Sequence, residues 1–232
     1  MPGQIYKTKT NRTNITLMKH FTSDEIDELS QRKRANLINS VSGYKSANLI
    51  GTMSALKQSN LAIFSSVVHI GANPPLLGFV MRPTEEVPRH TYENIKATGV
   101  YTINHVHRTF IEKAHYTSAK FDRSVSEFAA CQLTEEHLEN FAAPFVAESK
   151  IKIGLKFVEE IPIKLNRTIL IIGEIQHLMV PENALLADGN IDLNIAEDVC
   201  ISGLDGYHEV KAPVRFPYAG ADQFPNSKTT GR

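Results

Sequence analysis

The sequence predicts a mainly β, largely antiparallel barrel or sandwich with helical insertions. Three observations carry this. Between residues 35 and 105, short apolar runs recur with turn signals between them. The gaps between the runs mostly lack room for the helical crossovers that parallel neighbours need. A second apolar block runs from 147 to 180, and the stretch between the blocks, about 105–145, has helical patterning.

Residues 1–20 are polar and irregular, and read as a loose arm or an edge strand. Thr22-Ser23-Asp24-Glu25 starts a helix, with Ser23 as the cap and acids in the first turn. Ile26 and Leu29 give it an apolar edge, and Arg32-Lys33-Arg34 sits at its end, where cations suit the helix dipole. From Ala35 the pattern turns to β, with strands near 35–42, 46–54, 60–68, 76–82 and 99–105. Ser42-Gly43-Tyr44-Lys45 is a turn, and Gly71-Ala72-Asn73-Pro74-Pro75 breaks the chain. A short helix over 91–98 is closed by Gly99. Further helical stretches fall at about 108–119, 124–130 and 134–140. The second β block gives strands at 147–159, 161–164, 168–180 and 191–195, with a hairpin-type turn at Ala187-Asp188-Gly189-Asn190. The organisation is thus an arm and helix over 1–34, a domain over 35–208 with its helical insertion, and an extended tail over 209–232.

Composition narrows the function classes. The 232 residues carry 25 basic and 25 acidic side chains, so no global field recruits nucleic acid or an anionic membrane. No apolar run approaches a membrane span, and the first residues lack the apolar core of a secretory signal. The expectation is a cytoplasmic protein with neither a nucleic-acid nor a membrane partner. Cys131 and Cys200 stand far apart without metal-type spacing and read as two reduced thiols, a disulfide being the minor alternative. Asn11-Arg12-Thr13 and Asn14-Ile15-Thr16 match the glycosylation pattern by chance.

Chemistry concentrates in residues 36–83. Apolar runs here end in hydroxyl, amide and basic groups: Ser46 to Thr52, Ser65-Ser66, and Arg82-Pro83-Thr84. Such strand ends suit an anionic ligand whose phosphate rests on loop N–H groups, hydroxyls and a guanidinium. Each group also has a plainer reading. Arg82 suits an ion pair with Glu85 or Glu86, Asn48 a turn, Ser65-Ser66 a β-bulge, Thr91 a helix cap and Asn94 a solvent-facing position. The alternation in His105-Val106-His107 puts both rings on one face of an extended segment. With His115 they suggest a metal or heme site only weakly, because no carboxylate or thiolate partners are evident, and no metal is expected. His69, His137, His177 and His208 read as surface or structural residues.

The order of these motifs resembles the flavin reductase-like family with the FMN-binding split barrel. The resemblance covers roughly 35–208. It is carried by Asn48-Leu49-Ile50-Gly51-Thr52, Ser65-Ser66, Pro74-Pro75 before a strand, Arg82-Pro83-Thr84 and His90-Thr91-Tyr92-Glu93-Asn94-Ile95. Asn104 ending a strand, Phe121-Asp122, Gly173-Glu174-Ile175 and Gly203-Leu204-Asp205-Gly206-Tyr207 continue it. The resemblance implies a Greek-key-like split β-barrel and a homodimer with non-covalent FMN near its interface. By position, Asn48, Leu49, Ile50, Gly51 and Thr52 would line the isoalloxazine and ribityl chain. Ser65 and Ser66 would follow the ribityl and phosphate. Arg82, Thr84, Thr91 and Asn94 would belong to the phosphate region, and Asn104 and His105 would approach the ring. His105 and His107 are the candidates for proton donor or substrate contact.

The implied activity is an FMN-dependent oxidoreductase, reduced by NAD(P)H or another donor and passing electrons to a small-molecule or flavin acceptor. Many flavin reductases of this family carry Gly-Asp-His before their Gly-x-Val segment, a piece linked to reduced nicotinamide. Here Asn166-Arg167 stands near its place, ahead of Gly173-Glu174-Ile175. The alternatives are therefore a flavin-binding or electron-transfer module without its own NAD(P)H turnover, or a split barrel holding heme or a different flavin.

Overall fold

A computed structural model describes residues 5–7, 17–85 and 87–218. In chain order its elements are β1 (Ile5–Lys7), β2 (Leu17–Lys19), α1 (Ser23–Asp27), α2 (Gln31–Val41), β3 (Lys45–Ser46), β4 (Asn48–Met53), β5 (Ser59–Phe64), β6 (Val68–Ala72) and β7 (Pro75–Met81). They continue with α3 (His90–Thr98), β8 (Val100–His105), α4 (Ile111–Tyr116), α5 (Glu127–Ala130), β9 (Glu135–Glu136) and β10 (Phe145–Val146). The last are β11 (Lys152–Ile163), β12 (Thr168–Met179), β13 (Val199–Ser202) and β14 (Gly206–Glu209). No helix of the described residues is long and apolar enough to cross a membrane.

Seven strands form one sheet in the order β5-β4-β8-β11-β12-β7-β6, and every pairing in it is antiparallel. Its outer strands, β5 and β6, are joined in sequence by Ser65, Ser66 and Val67. The Ser66 hydroxyl accepts from Val80 N at 3.1 Å and donates to Val80 O at 3.2 Å, so the joint stays tied to β7 and the sheet rolls into a barrel. One face of the sheet fills the interior with Ile50, Phe79, Tyr101, Ile103, Leu155 and Ile171. Phe79 packs edge-on against both Phe64 and Tyr101. Gly173 makes room for Tyr101, since a Cβ there would lie 2.3 Å from the phenol oxygen. The opposite face buries Leu49, Leu61, Phe110, Phe128, Val199 and Ile201 in a second core beneath α4, α5 and β13. The three-stranded sheet β14-β13-β3 flanks the barrel.

Several expectations are corrected. Residues 35–42 lie in helix α2, not in a strand. Leu37, Ile38 and Val41 recur at helical spacing, and Asn39 and Ser40 hydrogen-bond back to Ala35 O and Asn36 O four residues earlier. This helix runs across the expected boundary at 34/35. The basic triplet therefore opens α2, although Arg34 still donates to Asp27 O at the end of α1. The α1 cap is Thr22 rather than Ser23, because Thr22 and Glu25 form a reciprocal capping box. Residues 60–68 divide into β5 and β6, and β6 runs on to Ala72, which narrows the turn to Asn73-Pro74. The expected helix near 134–140 is replaced by β9, which pairs with β10. The second block starts at 152 rather than 147, and β11 continues unbroken to Ile163 through two bulges. Residues 191–195 form no strand, because the Asp192 carboxylate accepts from Asn194 N and Ile195 N and curls the chain. Strands β3, β13 and β14 had no distinct signal. The glycosylation matches and residues 219–232 of the tail lie outside the described residues.

Candidate functional site

The candidate residues separate into three groups. The first is basic and hydroxylic. Ser66 is fixed to Val80, two residues before Arg82, while Ser65 beside it is half-buried with its hydroxyl uncommitted among the described residues. Arg82 is exposed, and no hydrogen bond or ion pair joins it to another described residue. The expected partner Glu85 is held instead by Arg167, at 3.0 Å. Thr84 follows in the same loop. Arg89, at the start of α3, is a residue the sequence reading missed; it donates from Nε to Pro83 O at 3.2 Å. Burial, and then the neighbouring Arg82 charge, lowers the Arg89 pKa. Two guanidiniums thus repel each other in the segment between β7 and α3, and no ion pair joins either to a described carboxylate. Guanidiniums and hydroxyls are donors that suit a phosphate.

The second group lies on β4 and β8. Asn48 faces His105 across the β4–β8 pair and Phe64 across the β4–β5 pair, so the three side chains share the interior face of the sheet. Asn48 donates to Ser46 Oγ at 2.8 Å, but its Oδ1 is buried without a donor. His105 Nδ1 lies 2.5 Å from Asp198 Oδ2. The neighbouring pair is closed: Thr109 N donates to His107 Nδ1 at 3.3 Å, which leaves the Nε2 proton for Glu197 at 3.0 Å. His107 therefore has no ring nitrogen left for a substrate. Glu197 also pairs with Arg108, and these bonds hold its pKa below the usual carboxylate value, the His107 bond most.

The third group is turned inward. Asn94 donates to Thr52 Oγ1 at 3.1 Å, and Asn60 donates to Thr91 Oγ1 at 3.1 Å, all four side chains being buried between the β4–β5 hairpin and α3. Asn94 is therefore not solvent-facing, and Thr91 is not the helix cap, which is Arg89. Asn104 alternates to the face opposite His105. There it donates to Leu49 O and Thr102 Oγ1 and accepts from Val146 N, so it fastens β10 to the barrel. Leu49 and Ile50 are fully buried core residues, and Gly51 lets the Pro144 carbonyl approach. A cleft of about 360 Å³ opens elsewhere, between the β4–β5 turn, α3 and Arg123, and Asn94 is the one candidate lining it. Among the described residues no group of His, Cys, Asp or Glu is arranged to hold a metal ion. Cys131 and Cys200 are free thiols.

The model of the flavin reductase like domain matches residues 42–193. The chain belongs to the flavin reductase-like family. A candidate flavin reductase with split barrel domain from Shewanella frigidimarina NCIMB 400 is 50% identical, with a TM-score of 0.83 over 87% of this chain and 100% of its own. Flavoredoxin of Desulfovibrio vulgaris (Miyazaki F) is 25% identical, with a TM-score of 0.66 over 76% of this chain and 92% of its own. Nitrilotriacetate monooxygenase component B from Bacillus cereus, at 18% identity and TM-score 0.75, shares the fold over 86% of this chain and 98% of its own. The barrel described above is thus the split barrel of a flavin-binding family.

Two observations of this flavin reductase-like chain fit a flavin mononucleotide. Among the described residues no carboxylate pairs with Arg82 or Arg89, and no donor reaches Asn48 Oδ1. A buried acceptor left unpaired costs roughly 1–3 kcal/mol, and an imide N–H would satisfy it.

Proposed function

We propose that this chain binds FMN and works as an FMN-dependent oxidoreductase, as a homodimer whose second copy completes the cradle. The single observation that carries this reading is the Arg82 and Arg89 pair, which no described carboxylate joins, Glu85 of the same loop being held by Arg167. In this reading the guanidiniums, with Ser65 and Thr84, hold the phosphate. Asn48 Oδ1 accepts from the imide of the ring, and His105 stands at its edge. The flavin, when bound, supplies hydride or electron transfer. The chain's own part is to bind it, orient it and exclude water.

NAD(P)H is the proposed reductant and a small molecule or a second flavin the acceptor. The test is a visible spectrum of the purified protein followed by FMN titration, with mass measurement of the assembly. Flavin maxima, saturable uptake and a dimer mass are expected. A protein that takes up no FMN refutes the reading.

A second reading, an electron-transfer module without its own nicotinamide turnover, is favoured by one feature. Asn166-Arg167 stands near the place where the family resemblance leads one to expect Gly-Asp-His, and Arg167 pairs with Glu85. Anaerobic stopped-flow mixing with NADH and NADPH separates the two. Rapid bleaching of bound FMN supports the oxidoreductase, and no bleaching supports the module.

A further inference from the structure

Glu197 and Asp198 are consecutive acids, and each grips one histidine of the His105-Val106-His107 run. The two grips differ in what they leave open. His107 uses both ring nitrogens, and its side chain is 5% exposed. His105 uses only Nδ1. Its side chain is 22% exposed, and Nε2 makes no hydrogen bond to a described residue. A carboxylate can only accept when ionised, so Asp198 fixes the Nδ1–H tautomer and leaves Nε2 as the uncommitted nitrogen. The segment carrying Asp198 is itself clamped. Val199 N donates to Val106 O, Arg108 N donates to Glu197 O, and Asp198 N donates to Leu193 O, each at 3.1 Å. Among the described residues no lysine or arginine pairs with Asp198, and its other oxygen is buried without a donor.

We propose that His105 and Asp198 form a carboxylate-oriented imidazole that delivers a proton to the reduced acceptor, with Asp198 as the positioning residue. This rests on the FMN reading of the interior face, where His105 stands opposite Asn48. The acceptor class is a carbonyl or quinone, whose two-electron reduction leaves an anionic oxygen. The acceptor takes a hydride from reduced flavin. The proton on His105 Nε2 passes to the oxygen, so that the N–H bond breaks and an O–H bond forms. The imidazole is left neutral, its Nδ1–H still on Asp198, and regains a proton from solvent. The carboxylate holds the Nδ1–H throughout and keeps the ring from rotating.

The test uses FMN-loaded protein, photoreduced and then mixed anaerobically with one of two oxidants. Ferricyanide takes electrons alone. A tetramethylated 1,4-benzoquinone takes a hydride and a proton. His105→Gln is expected to slow reoxidation by the quinone on the order of 100-fold, and Asp198→Asn about 10-fold, while ferricyanide reoxidation stays within about twofold. Equal slowing of both reactions, or of neither, overturns the proposal, as does loss of FMN binding in the variants. A wild-type protein that loads no FMN fails the cofactor reading itself, a different result from a loaded protein with equal rates. Imidazole ¹⁵N spectra of the wild-type chain keep the proposal testable if neither variant folds. In the neutral ring a proton on Nδ1 with Nε2 bare supports it, and a neutral ring protonated on Nε2 instead overturns it.

Discussion

Replacing Arg82 by alanine separates phosphate recognition from every other part of the site. A hydrogen bond to a charged group contributes about 1.5–3 kcal/mol. Arg82 is exposed, which places it at the low end. Its removal also relieves the repulsion that, after burial, lowers the Arg89 pKa, and this offsets part of the loss. The net loss is about 1–2 kcal/mol, or about 5- to 30-fold in the FMN dissociation constant. Arg82→Lys keeps the charge without the fork and should fall between the two. Riboflavin has the same ring and no phosphate, so its affinity should be unchanged in both variants. Titration followed by flavin fluorescence at fixed salt gives all of these values. An unchanged FMN affinity, or equal losses for FMN and riboflavin, would show that the phosphate is held elsewhere. Arg167→Ala adds a check from the other side: it frees Glu85, an exposed acid of the same loop, and should weaken FMN without weakening riboflavin.

Three further outcomes concern stability. Tyr101→Phe removes a buried hydroxyl that has no partner among the described residues and should be neutral or stabilising by about 1 kcal/mol in denaturant unfolding. Gly173→Ala should cost roughly 1–3 kcal/mol, because its Cβ would lie 2.3 Å from that hydroxyl and 2.9 Å from the ring carbon bearing it; Tyr101→Phe should recover only part of the loss. Glu127 has its pKa raised, chiefly by burial, while its carboxylate accepts from Leu61 N at 2.9 Å. An acid with a raised folded pKa binds its proton more tightly when folded, so stability falls as pH rises from the ordinary carboxylate range through the raised value. Glu127→Gln keeps an acceptor and removes the charge. It should raise Tm relative to the parent at neutral pH, with the gain vanishing near about pH 4.

The barrel was legible because its signals are local. Strands β4, β7, β8 and β12 announce themselves through apolar runs bounded by turns, and α3 through its closing Gly99, whose φ is 74°. Short connections then require antiparallel neighbours. Arg82 and Ser65 could be singled out because charge and hydroxyl at a strand end are properties of the sequence. What a side chain faces depends on residues far along the chain. Thr52 and Asn94 are 42 positions apart and bond to each other, and Asn104 is held by Val146 across another 42. Strand alternation separates Asn104 from His105 although they are adjacent. Helix α2 was read as a strand because an apolar run of four residues fits either period until its i−4 bonds are seen. Asp198 carried no motif at all, and it comes within 2.5 Å of His105 only because β13 packs back against the end of β8. Periodicity, loop length and residue type set the β character of the chain, its antiparallel order and the chemistry of its strand ends. Which of those polar groups are spent on the protein and which remain open to a ligand is settled in three dimensions, because hydrogen-bond satisfaction depends on contacts across long separations in the chain.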